Sequence, residues 1–169
     1  MREVIFLSLL FLTGCAAFEP VKINTPFDAV ATKKLLIEGK NIVKGNAFIS
    51  QRNGGLVTCA GKSVSLTPAT GYAKERMIAI YGSEDVGYSS AFSGKKPKFE
   101  PDVPEYSSLS KETLCNVRGE FMFDKVADGE FYITVGVLWR VDAYFDEGGY
   151  LMKKVSVSDG ETKDITLAP

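Results

Sequence analysis

Glu130 to Arg140 reads EFYITVGVLWR, and its alternation decides the fold. Successive side chains of a strand point to opposite faces, so Phe131, Ile133, Val135, Val137 and Trp139 share one face. Five large apolar side chains on one face predict a long strand that crosses a core. The flanking segments carry the same period. Upstream, Phe121 and Phe123 share a face within Glu120–Phe123. Downstream, Leu151, Val155 and Val157 line a second face, and Ile165 and Leu167 a last one. Asp128-Gly129 and Asp159-Gly160 separate these runs, and Asp-Gly between alternating runs predicts hairpins, because a type I′ turn needs positive φ at both central residues. Gly148-Gly149 predicts a third turn.

Toward the N-terminus, Lys40–Ser50 (KNIVKGNAFIS) is rich in strand formers, Ser63–Thr67 alternates, and Pro68 closes it. Arg76–Tyr81 (RMIAIY) is a further short apolar run. About seven short strands with regular turn signals predict a mainly β fold, a single β-sandwich. Two segments break the pattern. Thr25-Pro26 resembles a helix start, with Thr25 as N-cap and Pro26 in the first turn, so residues 25–39 are expected to form a short helix ending at Gly39. Residues 82–111 are rich in Gly, Ser, Pro and Lys, and are expected to be a long inserted loop.

The chain has 169 residues, a net charge of −1 and no histidine. Near-neutrality gives no electrostatic reason to expect nucleic acid as a partner. The lack of histidine removes Ser-His-Asp and Cys-His catalysis and the commonest transition-metal ligand. No metal and no cofactor are expected, and the chain is expected not to be an enzyme.

The N-terminus places Arg2 before an apolar run, Val4–Leu12, and then Leu12-Thr13-Gly14-Cys15. A basic residue, a short apolar run and a small-residue site make up a secretory signal peptide. The last four residues resemble the bacterial lipobox. That resemblance implies that residues 1–14 are removed and that Cys15 is lipidated, with 15–24 as a lipidated tether; an ordinary signal peptide with a chance cysteine is the alternative. In Gram-negative lipoproteins Ala16 after the cysteine resembles an outer-membrane sorting signal, so the expected location is the cell envelope, and in a Gram-negative cell the outer membrane, on its periplasmic or surface side. With Cys15 assigned to lipid, Cys59 and Cys115 remain as a pair in an oxidising compartment, and a disulfide is expected, with two buried thiols as the alternative.

Residues 40–169 carry a further resemblance. Gly119-Glu120-Phe121-Met122-Phe123, followed by Val126-Ala127-Asp128-Gly129-Glu130-Phe131-Tyr132-Ile133-Thr134-Val135, is similar to the signature of carboxypeptidase regulatory-like domains. This implies a transthyretin-like sandwich closed by Val155–Leu167, with residues 82–111 as an insert. It also brings in adhesin modules with a Lys–Asn isopeptide bond; Lys40 or Lys44 could supply the amine, but the last strand offers only Asp164.

Two apparent motifs lead nowhere. Gly55–Ser63 has five residues between its glycines where a phosphate loop needs four, and it leads into a strand. Ser93-x-x-Lys96 and Ser108-x-x-Lys111 match Ser-x-x-Lys without the further motifs of penicillin-recognising enzymes. The aromatics are the remaining lead. Tyr81, Tyr88, Phe92, Phe99 and Tyr106, with Tyr72 and Trp139 nearby, are the candidate binding surface, since exposed rings stack on sugars or anchor interfaces. The alternative is that they cover the sandwich edge and pack the insert down. The expected function is a membrane-anchored envelope module that docks an envelope protein or has a structural role; the alternative is a surface glycan-binding module.

Overall fold

The structure, a computed structural model, describes residues 19–93, 97–143 and 145–169. The expected signal segment (residues 1–14), Cys15 and residues 16–18 lie outside the described residues. In chain order the elements are β1 (Val21–Lys22), α1 (Ala29–Leu35), β2 (Asn41–Ser50), β3 (Leu56–Thr58), β4 (Ser63–Pro68), α2 (Gly71–Tyr81), β5 (Val86–Ser90), a 3-10 turn (Ala91–Ser93), β6 (Phe99–Glu100), α3 (Pro104–Ser108), β7 (Lys111–Leu114), β8 (Glu120–Val126), β9 (Gly129–Arg140), β10 (Asp146–Val157) and β11 (Thr162–Leu167).

The chain folds as a β-sandwich. One sheet has five strands in the order β5-β10-β9-β4-β7, all antiparallel. The other has four: β2 pairs in parallel with β11 on one side, and antiparallel with β8 and then β3 on the other. These nine strands exceed the seven expected, because β3, β5 and β7 are short and lack clear alternation. Phe131, Ile133, Val135 and Val137 of β9 are buried between the sheets against Val43, Phe121, Phe123, Leu151 and Leu167. Trp139 packs, half-buried, at the edge of that core. Cys59 and Cys115 are bonded, with Cα atoms 5.8 Å apart.

The positive φ expected at both residues of each Asp-Gly pair is found at one pair and not at the other, where Asp128 has an ordinary φ. Asp159 and Gly160 both have positive φ, at 59° and 77°, as the dipeptide demands. Yet β10 and β11 lie in different sheets, and so do β8 and β9. Both Asp-Gly pairs are therefore corners between the layers, not hairpin turns. Gly148-Gly149 is no turn either: both residues lie inside β10, and the hairpin from β9 to β10 closes at Val141, whose N–H donates to Phe145 O.

The helix expected at 25–39 is shorter. Asp28 caps it by accepting from Ala31 N, and the last helical residue is Leu35. Gly39 is not its cap; a side chain there would collide with Val126 and Ala127 of the sandwich. Arg76–Tyr81, expected among strands, belongs to α2, capped by the Thr70 hydroxyl and ended by Gly82 at φ 74°. The helix lies on the outer face of the five-stranded sheet, where Ala73 and Met77 pack on Tyr132 and Met152. The expected loop at 82–111 contains β5, β6 and α3. The segment expected to be a tether is fixed to the fold from Val21 onward: β1 pairs with β6, and Ile23 is buried.

Candidate functional site

The candidate aromatics divide into two groups, and Arg76 on α2 makes the division. Its guanidinium carbon lies 3.9 Å from the ring centre of Phe99, 4.7 Å from that of Tyr106 and 5.6 Å from that of Tyr72. It also pairs with Asp102 at 2.7 Å. Phe27 closes the group, edge-on to Tyr72 and Tyr106 at 5.3 and 6.0 Å. The Tyr72 hydroxyl donates to Pro101 O and accepts from Val103 N. Phe99, Tyr106 and Tyr72 thus fasten the insert and the N-terminal segment to α2. Tyr81, at the end of α2, packs with Ala73, Met77, Tyr132 and Met152, a cluster that Tyr106 also touches. Burial pushes the Tyr106 and Tyr132 phenols up to about 12 and raises Tyr81 as well, so all three stay neutral near pH 7.

The second group is open. The register Ser90↔Gly149 carries the chain after β5 alongside the start of β10. Phe92 follows β5, and Phe145 precedes β10 in the β9–β10 turn; they are 77% and 56% exposed. Tyr88, partly exposed, donates its hydroxyl to Gly148 O at 2.8 Å. Two glycines make room here. A side chain at Gly149 would collide with the Tyr88 ring, and one at Gly148 with the Trp139 ring. The rings of Tyr88 and Trp139 therefore lie directly on backbone. Of the five sequence candidates, Tyr88 and Phe92 reach this end of the five-stranded sheet, while Tyr81, Phe99 and Tyr106 do not. Phe145 was missed; its position after Asp142, in a polar turn, gave no periodic signal.

A separate groove of about 350 Å³ lies at the seam between β7 and β8, where Glu38, Lys111, Glu112, Met122, Asp124 and Lys125 face it. Lys125 has φ 49°, and the β2–β8 register skips between Asn41 and Val43. β8 thus carries a bulge at this point.

Among the described residues, no three His, Cys, Asp or Glu side chains are grouped to hold a metal, and no helix is long and apolar enough to cross a membrane. Lys44 and Asp164 are register partners on β2 and β11, but they form an exposed ion pair at 3.6 Å.

No family model matches the chain, and no curated protein matches it. Among solved structures it is similar to a Pseudomonas aeruginosa protein whose crystal structure is described as that of a "putative carbohydrate binding protein". The TM-score is 0.64 at 25% identity, covering 78% of this chain and 90% of that one.

Proposed function

We propose that this chain is a non-catalytic, lipid-anchored module of the bacterial cell envelope that binds glycans at the aromatic end of its five-stranded sheet. The observation that carries this reading is that one end of the five-stranded sheet bears exposed Phe92 and Phe145, in the segments that flank the Ser90↔Gly149 pair, together with Tyr88 and Trp139, whose rings lie on Gly149 and Gly148. Flat rings presented to water suit the C–H faces of sugar rings. The likeness to the Pseudomonas protein supports the ligand class. The resemblance to carboxypeptidase regulatory-like domains supports it too, since such modules include carbohydrate-binding units. The lipobox at Leu12–Cys15 supports the anchor, and the lack of histidine supports a binding rather than a catalytic role. An envelope protein is the second candidate partner. It is favoured by β5, an edge strand with Val86 and Tyr88 exposed, to which a partner strand could add.

A glycan array probed with the purified protein tests the main reading. Hits that vanish when Phe92 and Phe145 are both changed to Ala are the expected result; an array without hits sinks it. Crosslinking in intact cells tests the second, and recovery of monomer alone would count against a protein partner. For the anchor, Cys15→Ser should accumulate as unprocessed precursor without incorporated palmitate, and normal processing would refute lipidation.

A further inference from the structure

We infer that the seam groove between β7 and β8 is a second sugar subsite, shaped for one uncharged hexose unit, and that the backbone at Lys125 is held in a disfavoured conformation to form it. The ligand class rests on the glycan reading above; the location does not.

The groove, about 350 Å³, is at the small end of the range for ligand pockets. Three carboxylates (Glu38, Glu112 and Asp124) face it together with two ammonium groups (Lys111 and Lys125). Such a lining nearly cancels in charge, so it offers little to a phosphate or a polyanion. Lys111, Lys125 and Glu112 each have one internal partner, and each keeps further donor or acceptor capacity for a ring bearing adjacent hydroxyls. Met122 is 56% exposed and supplies a soft apolar surface for the ring's C–H face. Asp124 makes no ion pair or hydrogen bond among the described residues, so its carboxylate is available.

The backbone gives the second line of argument. A residue with a side chain at φ 49° sits in the left-handed region that glycine normally occupies in bulges. A reason is then needed for a lysine there. Its ion pair with Glu38, at 3.1 Å, joins two side chains that are 60% and 75% exposed, and such pairs contribute little to stability. The carbonyl of Lys125 accepts from Gly39 N at 3.1 Å and from Lys111 Nζ at 2.8 Å. One strained residue therefore ties together all three walls: the segment after α1, β7 and β8. Strain that its surroundings hold in place points toward function, and here it sets the Lys125 ammonium against the Glu38 carboxylate in the groove lining.

The test is an amide NMR titration of the full chain, purified from membranes in a detergent without a sugar headgroup. Maltose, cellobiose and N,N′-diacetylchitobiose are the probes. Saturable shifts at Lys111–Thr113 and Met122–Val126 are expected, separate from those at Phe92 and Phe145. Lys125→Gly should keep or raise the melting temperature while groove affinity falls roughly tenfold, the effect of losing one hydrogen bond to a charged group. Asp124→Ala should weaken the same sites. Shifts confined to the aromatic end would overturn the groove and leave the glycan reading standing. Shifts at neither place would overturn both. Unchanged groove affinity in Lys125→Gly would overturn the role of the strained backbone.

Discussion

Replacing Asn41 by leucine removes the buried side chain that joins both corners of the sandwich. Asn41, at the start of β2, is fully buried. Its amide nitrogen donates to Val126 O at 3.0 Å and to the Asp128 carboxylate at 2.8 Å. Its amide oxygen accepts from Gly160 N at 2.8 Å and from Glu161 N at 3.0 Å. Two of these partners belong to the β8–β9 corner and two to the β10–β11 corner. Each bond contributes about 1 kcal/mol net, which sets an upper figure of about 4 kcal/mol. Water can replace the bonds to Asp128, Gly160 and Glu161, which are all exposed. It cannot easily reach Val126 O, and an orphaned buried carbonyl costs about 1–3 kcal/mol. The expected loss for Asn41→Leu is about 3 kcal/mol, or roughly 6–12 °C in melting temperature for a chain of this size. Urea unfolding measures it: the midpoint should fall while the slope stays constant. Asn41→Asp should lose more at neutral pH, since it keeps the two accepted bonds and sets a second carboxylate against Asp128. A loss below about 1 kcal/mol for the leucine variant would refute the claim that Asn41 holds the corners.

Three further outcomes follow from the same contacts. Changing Cys59 and Cys115 together to Ala should lower stability by about 4 kcal/mol, the loop-closure term for a sequence separation of 56, as read by urea unfolding. Arg76→Leu should free the insert, because the guanidinium is its shared contact with Phe99, Tyr106 and Asp102; limited proteolysis should then cut within residues 97–108 at rates the parent chain resists. Hydrogen bonds from Thr25 and Asn24 hold the Glu75 carboxyl below its ordinary range. A lowered folded-state pKa means stabilisation that is present above the unfolded value and lost as pH falls through the folded one. Protection of the Asn24 and Thr25 amides should therefore be lost only as pH falls below the ordinary glutamate range, and in Glu75→Gln it should be weak at neutral pH.

The strands with one buried face were legible, because burial on one side imposes a period of two. The runs in β4, β8, β9, β10 and β11 all showed it, whereas β2 was read from its strand-forming residues. α2 was not, since RMIAIY is apolar all along and buries only Met77 of its residues; its signals were Thr70 and Gly82, the two caps, which went unused. Asp128-Gly129 and Asp159-Gly160 show the limit of turn chemistry. A dipeptide reports that the chain reverses, but the choice between pairing back and crossing to the facing sheet depends on the parallel pairing of β11 with β2, more than a hundred residues apart in sequence. The candidate site was half legible for a related reason. Residue type identified the aromatics, but Arg76 takes up Phe99 and Tyr106, and its partners in the insert lie 23 to 30 positions downstream.

Asn41 and Lys125 also act on one another, through two consecutive carbonyls. Lys125 O accepts from Gly39 N, and the next carbonyl, Val126 O, accepts from the Asn41 side chain. Gly39 and Asn41 flank the start of β2, so the bulge is gripped on consecutive carbonyls by one short segment. Gly39 permits that approach, as any side chain there would strike Val126 and Ala127. A left-handed lysine persists only while such neighbours over-determine it. Asn41→Ser, which leaves a hydroxyl too short to span both corners, should then let Lys125 relax toward ordinary strand geometry within a molecule that is still folded. Its amide resonance should move far more than that of Phe121 on the same strand, and the groove should weaken for sugars while the aromatic end does not. If Lys125 stays put in that variant, the strain is held by Lys111 and Gly39 alone, and the coupling between the corners and the groove is refuted.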